Sequence, residues 1–218
     1  MARSTRYREL RKAITKSRHA LLPSKFDPTG TYRNPDKVHY RALSFRIMVH
    51  AEIEAYLEDR SREVLDAAWK HWKATRVPSE TIICLLGYSE VALKLPPDSL
   101  GGGPNKLSYE SIETPLQKAY NVWLRRSREN HGIKEANVLS LVLPLGIEHT
   151  KLGTTLLNDL SSYGLARGLV AHTSNYTITQ YADPKDEFNT ATNLATSLEK
   201  LDELFNCMIT RLDRFAKA

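Results

Sequence analysis

The spacing of apolar residues between Val38 and Trp72 limits the fold of this chain more than any other feature. Val38, Ala42, Phe45, Val49, Ile53, Leu57, Leu65, Ala68 and Trp72 recur in steps of three and four, with one longer gap. Side chains in that register share one face of an α-helix, and charged residues fill the other face. The stretch therefore predicts one long helix that must lay its apolar stripe on a partner. A matching partner stands near the C-terminus. After Asp183-Pro184, the residues Phe188, Ala191, Ala195, Leu198, Phe205, Met208, Leu212 and Phe215 form a second long seam. Two such helices packed together predict an all-α bundle.

The intervening chain reads as shorter helices. Pro78-Ser79 opens an apolar segment through about Leu95, and Ile82-Ile83-Cys84-Leu85-Leu86 fits a strand or a buried helix. Pro96-Pro97 through Gly101-Gly102-Gly103-Pro104 reads as a loop. Lys106 and Ser108 follow it, but no Gly precedes the Lys and Pro104 lacks an amide donor, so it is not a phosphate loop. Thr114-Pro115-Leu116-Gln117 predicts a helix start, with Thr114 as N-cap and Gln117 completing a capping box. That helix is expected to end near Asn130, with Gly132 in a left-handed turn. A short helix from about Lys134 to Leu143, stopped by Pro144, and another from about Lys151 to Ala171 complete the pattern.

At 218 residues, 41% of them hydrophobic, the chain fits one domain. Cys84 and Cys207 are far apart and lack metal-ligand spacing, which fits a reducing compartment. No apolar run approaches the roughly 18 residues of a membrane helix. The longest, Val138 to Ile147, is interrupted by Ser140 and Pro144. A cytoplasmic protein without a membrane partner is expected. The charge is uneven: Arg3, Arg6, Arg8, Arg11, Lys12, Lys16 and Arg18 face one acid, Glu9, within residues 1–20. That excess of six equals the net charge of the whole chain. Residues 1–30 thus read as a basic helical segment ahead of a helical domain over 31–218. The segment suits a polyanion partner, and Tyr7, Leu10, Ile14 and Leu21 could also dock it on the core.

Four sets of residues could carry chemistry. Arg167-Gly168-Leu169-Val170-Ala171-His172 joins a fixed cation to a group that titrates near neutral pH. Such a pair can hold charge on phosphorus and move protons. Five helical residues turn the two side chains about 140° apart, so His172 must sit at a helix end to reach the Arg167 side. The competing reading has Arg167 lying over the bundle and His172 capping the helix C-terminus. His50 and Glu54 stand four apart and fit a relay, a metal pair short of a third ligand, or, favoured, a surface ion pair. Arg125, Arg126, Arg128, His131 and Lys134 form a second basic cluster near Tyr120 and Trp123. It suits single-stranded nucleic acid, or else a solvated face with Trp123 in the core. Tyr176 is a hydroxyl four residues past His172.

Three stretches in order resemble one family. They are Tyr40–Asp59, then Asn130-His131-Gly132-Ile133-Lys134-Glu135-Ala136-Asn137 with Leu143–Ile147, and Leu160 through Arg167 to His172. Over about residues 38–175 the chain resembles HEPN domains, most of all the RiboL-PSP-type branch. The resemblance implies an all-α bundle that dimerises. It implies a metal-independent endoribonuclease of a toxin–antitoxin or phage-defence system, with no cofactor and with RNA and an antitoxin or defence component as partners. It assigns catalysis to Arg167 and His172, which meet their counterparts across the dimer, and lesser roles to Glu54 and Asn130. Arg125, Arg126, Arg128 and Lys134 are the residues expected to bind RNA. The chain departs from the family pattern at Gly168, where a polar residue is usual. It departs again at Ser174, where a modified Tyr would stand; Tyr176 is out of register. The alternative within the resemblance is a non-catalytic module that binds RNA or a partner protein.

Overall fold

The computed structural model describes residues 2–93, 111–172 and 181–215, the side chains of residues 171, 172, 214 and 215 excepted. Every regular element among these residues is helical. The helices are α1 (Thr5–Leu21), α2 (Pro35–Thr75), α3 (Glu80–Tyr88), α4 (Glu113–Arg128), α5 (Glu135–Val142), α6 (His149–Leu152), α7 (Thr154–His172) and α8 (Pro184–Phe215). A 3-10 turn, Leu143–Leu145, follows α5.

The expected long helix is α2, and its start has local causes. Asn34 Oδ1 accepts the Lys37 amide at 3.1 Å, Pro35 occupies the first turn, and Asp36 faces the positive end of the helix dipole. Phe45, Val49, Ile53, Leu57 and Leu65 are all buried on its inner stripe. Each such side chain contributes about 1.5–3 kcal/mol over leaving it in water. The most extensive helix pair is α2 with α8, which buries Ala191, Ala195, Leu198, Phe205 and Leu212 of the predicted seam. Phe188 and Met208 are partly buried against it, and the Phe215 side chain lies outside the described residues. Asp183 Oδ1 accepts the amides of Lys185 at 2.7 Å and Asp186 at 3.2 Å, opening α8 where the Asp-Pro step predicted it.

The basic segment docks. In α1, Tyr7, Leu10 and Ile14 are buried in the same core as α2 and α8, and Tyr7 Oη donates to the Ala195 carbonyl at 2.8 Å. Its Ser4 N-cap accepts the Tyr7 amide at 3.0 Å. Leu21 is partly buried against the core.

Several local expectations differ from the structure. The ambiguous apolar segment is helix, α3, and it ends at Tyr88 rather than near Leu95. The glycine-rich stretch Pro96–Pro104 lies outside the described residues. Helix α4 starts at Glu113 with no side-chain cap, not at Thr114 with a capping box. Its start is anchored from outside, because Glu113 pairs with Lys73 and Arg76 at the end of α2. Pro115 still falls in the first turn, where its missing donor is harmless. The helix expected over 151–171 is broken into α6 and α7 at Gly153, whose φ of 74° favours glycine. Gly132 is not among the positive-φ residues; side-chain hydrogen bonds make that turn instead.

Candidate functional site

The site is built on polar residues of α2. His50, Glu54 and Glu58 stand one turn apart, so they share a stripe beside the apolar face. A surface ion pair was the favoured expectation for His50 and Glu54, and the structure corrects it. The His50 side chain is 4% exposed, with Nδ1 3.5 Å from Glu54 Oε2. α7 and the turn between α4 and α5 pack over this part of α2, a tertiary event that helical spacing cannot foretell. Burial disfavours a charged imidazole, and the nearby Arg167 charge adds to it, so the His50 pKa falls to about 4. Burial together with Glu58 pushes Glu54 upward, while Arg167, His131 and the Gly132 amide oppose that shift. The result at neutral pH is an uncharged imidazole able to donate at one nitrogen and accept at the other.

Asn130 ties the α4–α5 turn to this stripe. Its Nδ2 donates to Glu58 Oε1 at 2.9 Å and to the Gly132 carbonyl at 3.1 Å. Its Oδ1 accepts from Asn137 Nδ2 at 3.0 Å. Asn130 is buried, and these bonds give it a positioning role. They also explain the tight turn. A Cβ on Gly132 would stand 3.2 Å from Asn137 Oδ1, so glycine there leaves the Asn137 side chain its room rather than supplying a left-handed φ.

Arg167 arrives on α7, and a small residue sets the approach. A Cβ on Gly164 would meet Lys134 Cγ at 3.1 Å and Ile133 Cγ1 at 3.6 Å. The glycine lets the helix backbone lie against the turn. Between them opens a cleft of about 600 Å³, lined by His50, His131, Lys134, Asn137, Arg167 and Gly168, among others. Among the described residues, no hydrogen bond or ion pair engages the Arg167 guanidinium. His131 and Lys134 are exposed at the same opening. Of the sequence candidates, Glu54, Asn130, His131, Lys134 and Arg167 are thus brought together. Asn137, Gly164 and His50 as a buried group are additions. A polar residue at every fourth position of an otherwise apolar-faced helix was the available hint for His50.

The backbone of α7 stays helical through His172. Five helical residues keep Arg167 and His172 about 140° apart around the axis within one chain. The His172 side chain lies outside the described residues, as do Ser174 and Tyr176.

The other basic candidates are elsewhere. Arg126 donates to the Tyr88 carbonyl at 2.8 Å and lies 3.6 Å from Glu90, which fastens α4 to the end of α3. Arg125 and Arg128 are exposed, and neither lines the cleft. The aromatics beside them serve the fold. Trp123 is buried and donates from Nε1 to the Leu141 carbonyl at 3.1 Å. Tyr120 packs on Trp69 at 4.9 Å between centroids and donates to Asp66 at 2.9 Å. Just before α1, Arg3 pairs with Glu199 at 2.5 Å, and on α1 Arg6 pairs with Asp59 at 2.7 Å, so part of that charge is already neutralised.

Among the described residues, no group of three or more His, Cys, Asp or Glu is arranged to hold a metal ion. None of their helices is long and apolar enough to cross a membrane. No family model, no curated protein and no solved structure matches this chain.

Proposed function

We propose that this protein is a HEPN-type endoribonuclease that cleaves RNA without a metal ion, acting as a toxin or defence effector. The observation that carries the reading is Arg167, an unengaged guanidinium among the described residues, at a cleft that also presents His131 and Lys134. Three basic side chains at one opening attract a phosphodiester, and the planar fork of Arg167 suits its non-bridging oxygens. The same helix continues directly to His172.

In this reading, one His172 takes the proton of the ribose 2′-OH. The 2′-oxygen forms a bond to phosphorus and the bond to the 5′-oxygen breaks, leaving a 2′,3′-cyclic phosphate. A second His172, from another copy of the chain, protonates the leaving 5′-oxygen. Arg167 stabilises the added negative charge on phosphorus. A pair of copies also agrees with the outer face of α7. Leu165 and Leu169, two residues either side of Arg167, are 55% and 67% exposed. Apolar side chains grouped beside a charged cleft suit a face covered by a second subunit.

Purified protein incubated with total RNA and with defined tRNA in EDTA tests the reading. Cleavage leaving 2′,3′-cyclic phosphate ends is expected, absent in Arg167→Ala and His172→Ala, with DNA untouched. Cleavage that survives both substitutions would overturn it. RNA binding with a steep salt dependence but no cleavage would favour the non-catalytic module instead.

A further inference from the structure

The fold divides the cations at the start of the chain into two groups. Arg3 and Arg6 pair with Glu199 and Asp59. Arg11 donates to Thr196 Oγ1 at 3.3 Å, and Arg18 donates to the Ser24 carbonyl at 3.0 Å and lies over the Phe26 ring. Arg8, Lys12 and Lys16 are left. All three are exposed, and among the described residues none of them pairs with a carboxylate. Glu9, the one acid of α1, is exposed beside them and forms no ion pair either. A spacing of four puts the three cations in line, about 6 Å apart along the helix axis. Tyr7, Leu10 and Ile14 hold the inner face of α1 against α2 and α8, so this line is the face turned to solvent.

The line is a separate surface from the cleft. Arg6 meets Asp59 at 2.7 Å and Glu52 at 3.8 Å, which marks the side of α2 that faces α1. His50 and Glu54 stand two residues either side of Glu52, about 160° away around that helix. The cleft and the cationic line therefore look to opposite sides of α2.

Charge without apolar content limits the partner. Tyr7 is the only Phe, Tyr or Trp of α1, and it is buried. The exposed large apolar side chains of the described residues all lie beyond α1. A protein interface anchors on aromatic or apolar side chains at its centre. A single strand is held by aromatic faces on which its bases stack. A helix that lies on a membrane inserts a free apolar face. The outer side of α1 offers none of these. A nucleic-acid duplex asks only for cations, because its bases are stacked inside and its phosphates line the outside.

We infer that the outer face of α1 binds the phosphate backbone of a nucleic-acid duplex, with Arg8, Lys12 and Lys16 as the phosphate ligands. Contacts to phosphate carry no sequence information, so affinity does not depend on sequence. Duplexes of RNA and of DNA both bind. The inference goes beyond the cleavage reading, since it needs neither Arg167 nor a cut.

Fluorescence anisotropy of the full chain with labelled nucleic acid tests it. The probes are duplex RNAs of two unrelated sequences, the matching duplex DNA and one of the single strands, with polyglutamate as a competitor. The duplexes are expected to bind alike, more tightly than the single strand, and to weaken steeply with salt. Arg8→Gln with Lys12→Gln and Lys16→Gln keeps helix propensity close to wild type, so the triple variant should fold. It is expected to lose about tenfold or more in duplex affinity and to flatten the salt slope by about 1 per residue replaced. Lys70→Gln with Lys118→Gln and Lys151→Gln removes the same charge from exposed positions of α2, α4 and α6, and should leave both near wild type. Arg167→Ala should bind duplex DNA as wild type does. Equal losses in the two triple variants, absence of duplex binding at low salt, or tighter binding of the single strand would each overturn the inference. Polyglutamate that displaces the probe as well as unlabelled duplex does would overturn it too, and would point to an acidic protein partner. Duplex DNA binding in a chain that cleaves no RNA would keep it and sink the nuclease. Cleavage by a chain that binds no duplex would do the reverse.

Discussion

Helix α2 carries two buried polar groupings, and they are finished differently. Toward its C-terminal half, Tyr56 and Arg60 belong to a closed knot. Arg60 Nε lies 3.1 Å from Asp202 Oδ1, Nη2 donates to Asn206 at 2.7 Å, and Nη1 pairs with Glu63. Asp202 also accepts from the Ser4 amide at 2.8 Å, Ser4 Oγ at 2.6 Å and Tyr56 Oη at 3.1 Å. The knot joins α1, α2 and α8, and burial with Asp202 pushes the Tyr56 hydroxyl far above its ordinary pKa. One turn and a half earlier, His50 and Glu54 are also withdrawn from water, yet they open on a cleft where Arg167 has no hydrogen-bond partner among the described residues. A buried charge whose ion pairs lie within the protein serves the fold, even where one nitrogen, Arg60 Nε, makes no hydrogen bond. A cation at a cleft with no hydrogen-bond partner among the described residues is available to a ligand. Burial alone does not separate the two cases; the destination of the hydrogen bonds does.

That contrast can be broken from the closed side first, where the effect is largest. Asp202→Ala takes the buried carboxylate from Arg60, Ser4 and Tyr56, leaving Arg60 with Glu63 and Asn206, and should cost about 3 kcal/mol. Urea denaturation would show this as a lower midpoint at unchanged slope. Replacing both partners with apolar residues, Arg60→Met with Asp202→Leu, should recover most of the loss. If Asp202→Ala costs under about 1 kcal/mol, the knot is not what holds α1 to α8.

On the open side, Arg167→Ala should leave stability within about 0.5 kcal/mol of wild type, because it breaks no bond inside the described fold. In the nuclease reading it lowers the cleavage rate about 10²–10³-fold, the loss typical of removing one donor to developing charge. A large drop in melting temperature in this variant would place Arg167 with the structural group and end the comparison.

His50 joins the two sides through pH. Its pKa is depressed to about 4 in the fold, against about 6.5 in the unfolded chain. The unfolded state therefore binds more protons between those values. Stability from neutral His50 is fully present above pH 6.5 and is lost as pH falls toward 4. Buried His39, also pushed down mainly by desolvation, adds the same sign. Glu54, pushed up, acts in the opposite direction, since its ionisation is what the fold resists. The loss on acidification attributable to His50 should be on the order of 2 kcal/mol. Denaturation at pH 7 and pH 4.5 would measure it, and His50→Phe should flatten that slope. An unchanged slope in His50→Phe would mean that other groups carry the acid sensitivity.

The long helices were legible because periodicity is a local property. Residues 38–72 place their apolar members on one face whatever else the chain does, and Asp183-Pro184 marks a helix start by its own chemistry. What lay beyond the sequence was decided by partners. His50 and Glu54 have the spacing of an exposed pair and are covered because α7 and the turn between α4 and α5 pack over them. The start of α4 follows the ion pairs of Glu113 rather than the capping signal at Thr114. Arg126 has the composition of an RNA contact but ends on Tyr88 and Glu90. Gly132 looked like a left-handed turn, and its actual constraint is the side chain of Asn137. Arg167 was legible as a candidate from its motif, whereas the cleft beside it needed three segments to meet.

Gly164 and Gly168 give the smallest and most discriminating test, because they share one helix, one face and one residue type. In an open helix interior, Gly→Ala raises stability by about 0.8–1.0 kcal/mol. Gly168→Ala should show nearly all of this gain, since its Cβ meets nothing within 4 Å among the described residues. Gly164→Ala should gain less, since its Cβ presses on Lys134 Cγ at 3.1 Å and the Lys134 side chain must shift. Thermal or urea denaturation of the two variants side by side would resolve the difference. Equal gains would mean that α7 is not seated against the 130–134 turn as described. Unequal gains in the expected order would locate the close approach at Gly164 and the open position at Gly168. Among the described residues, the cleft lies where a single helix is tight at one glycine and clear of its neighbours at the next.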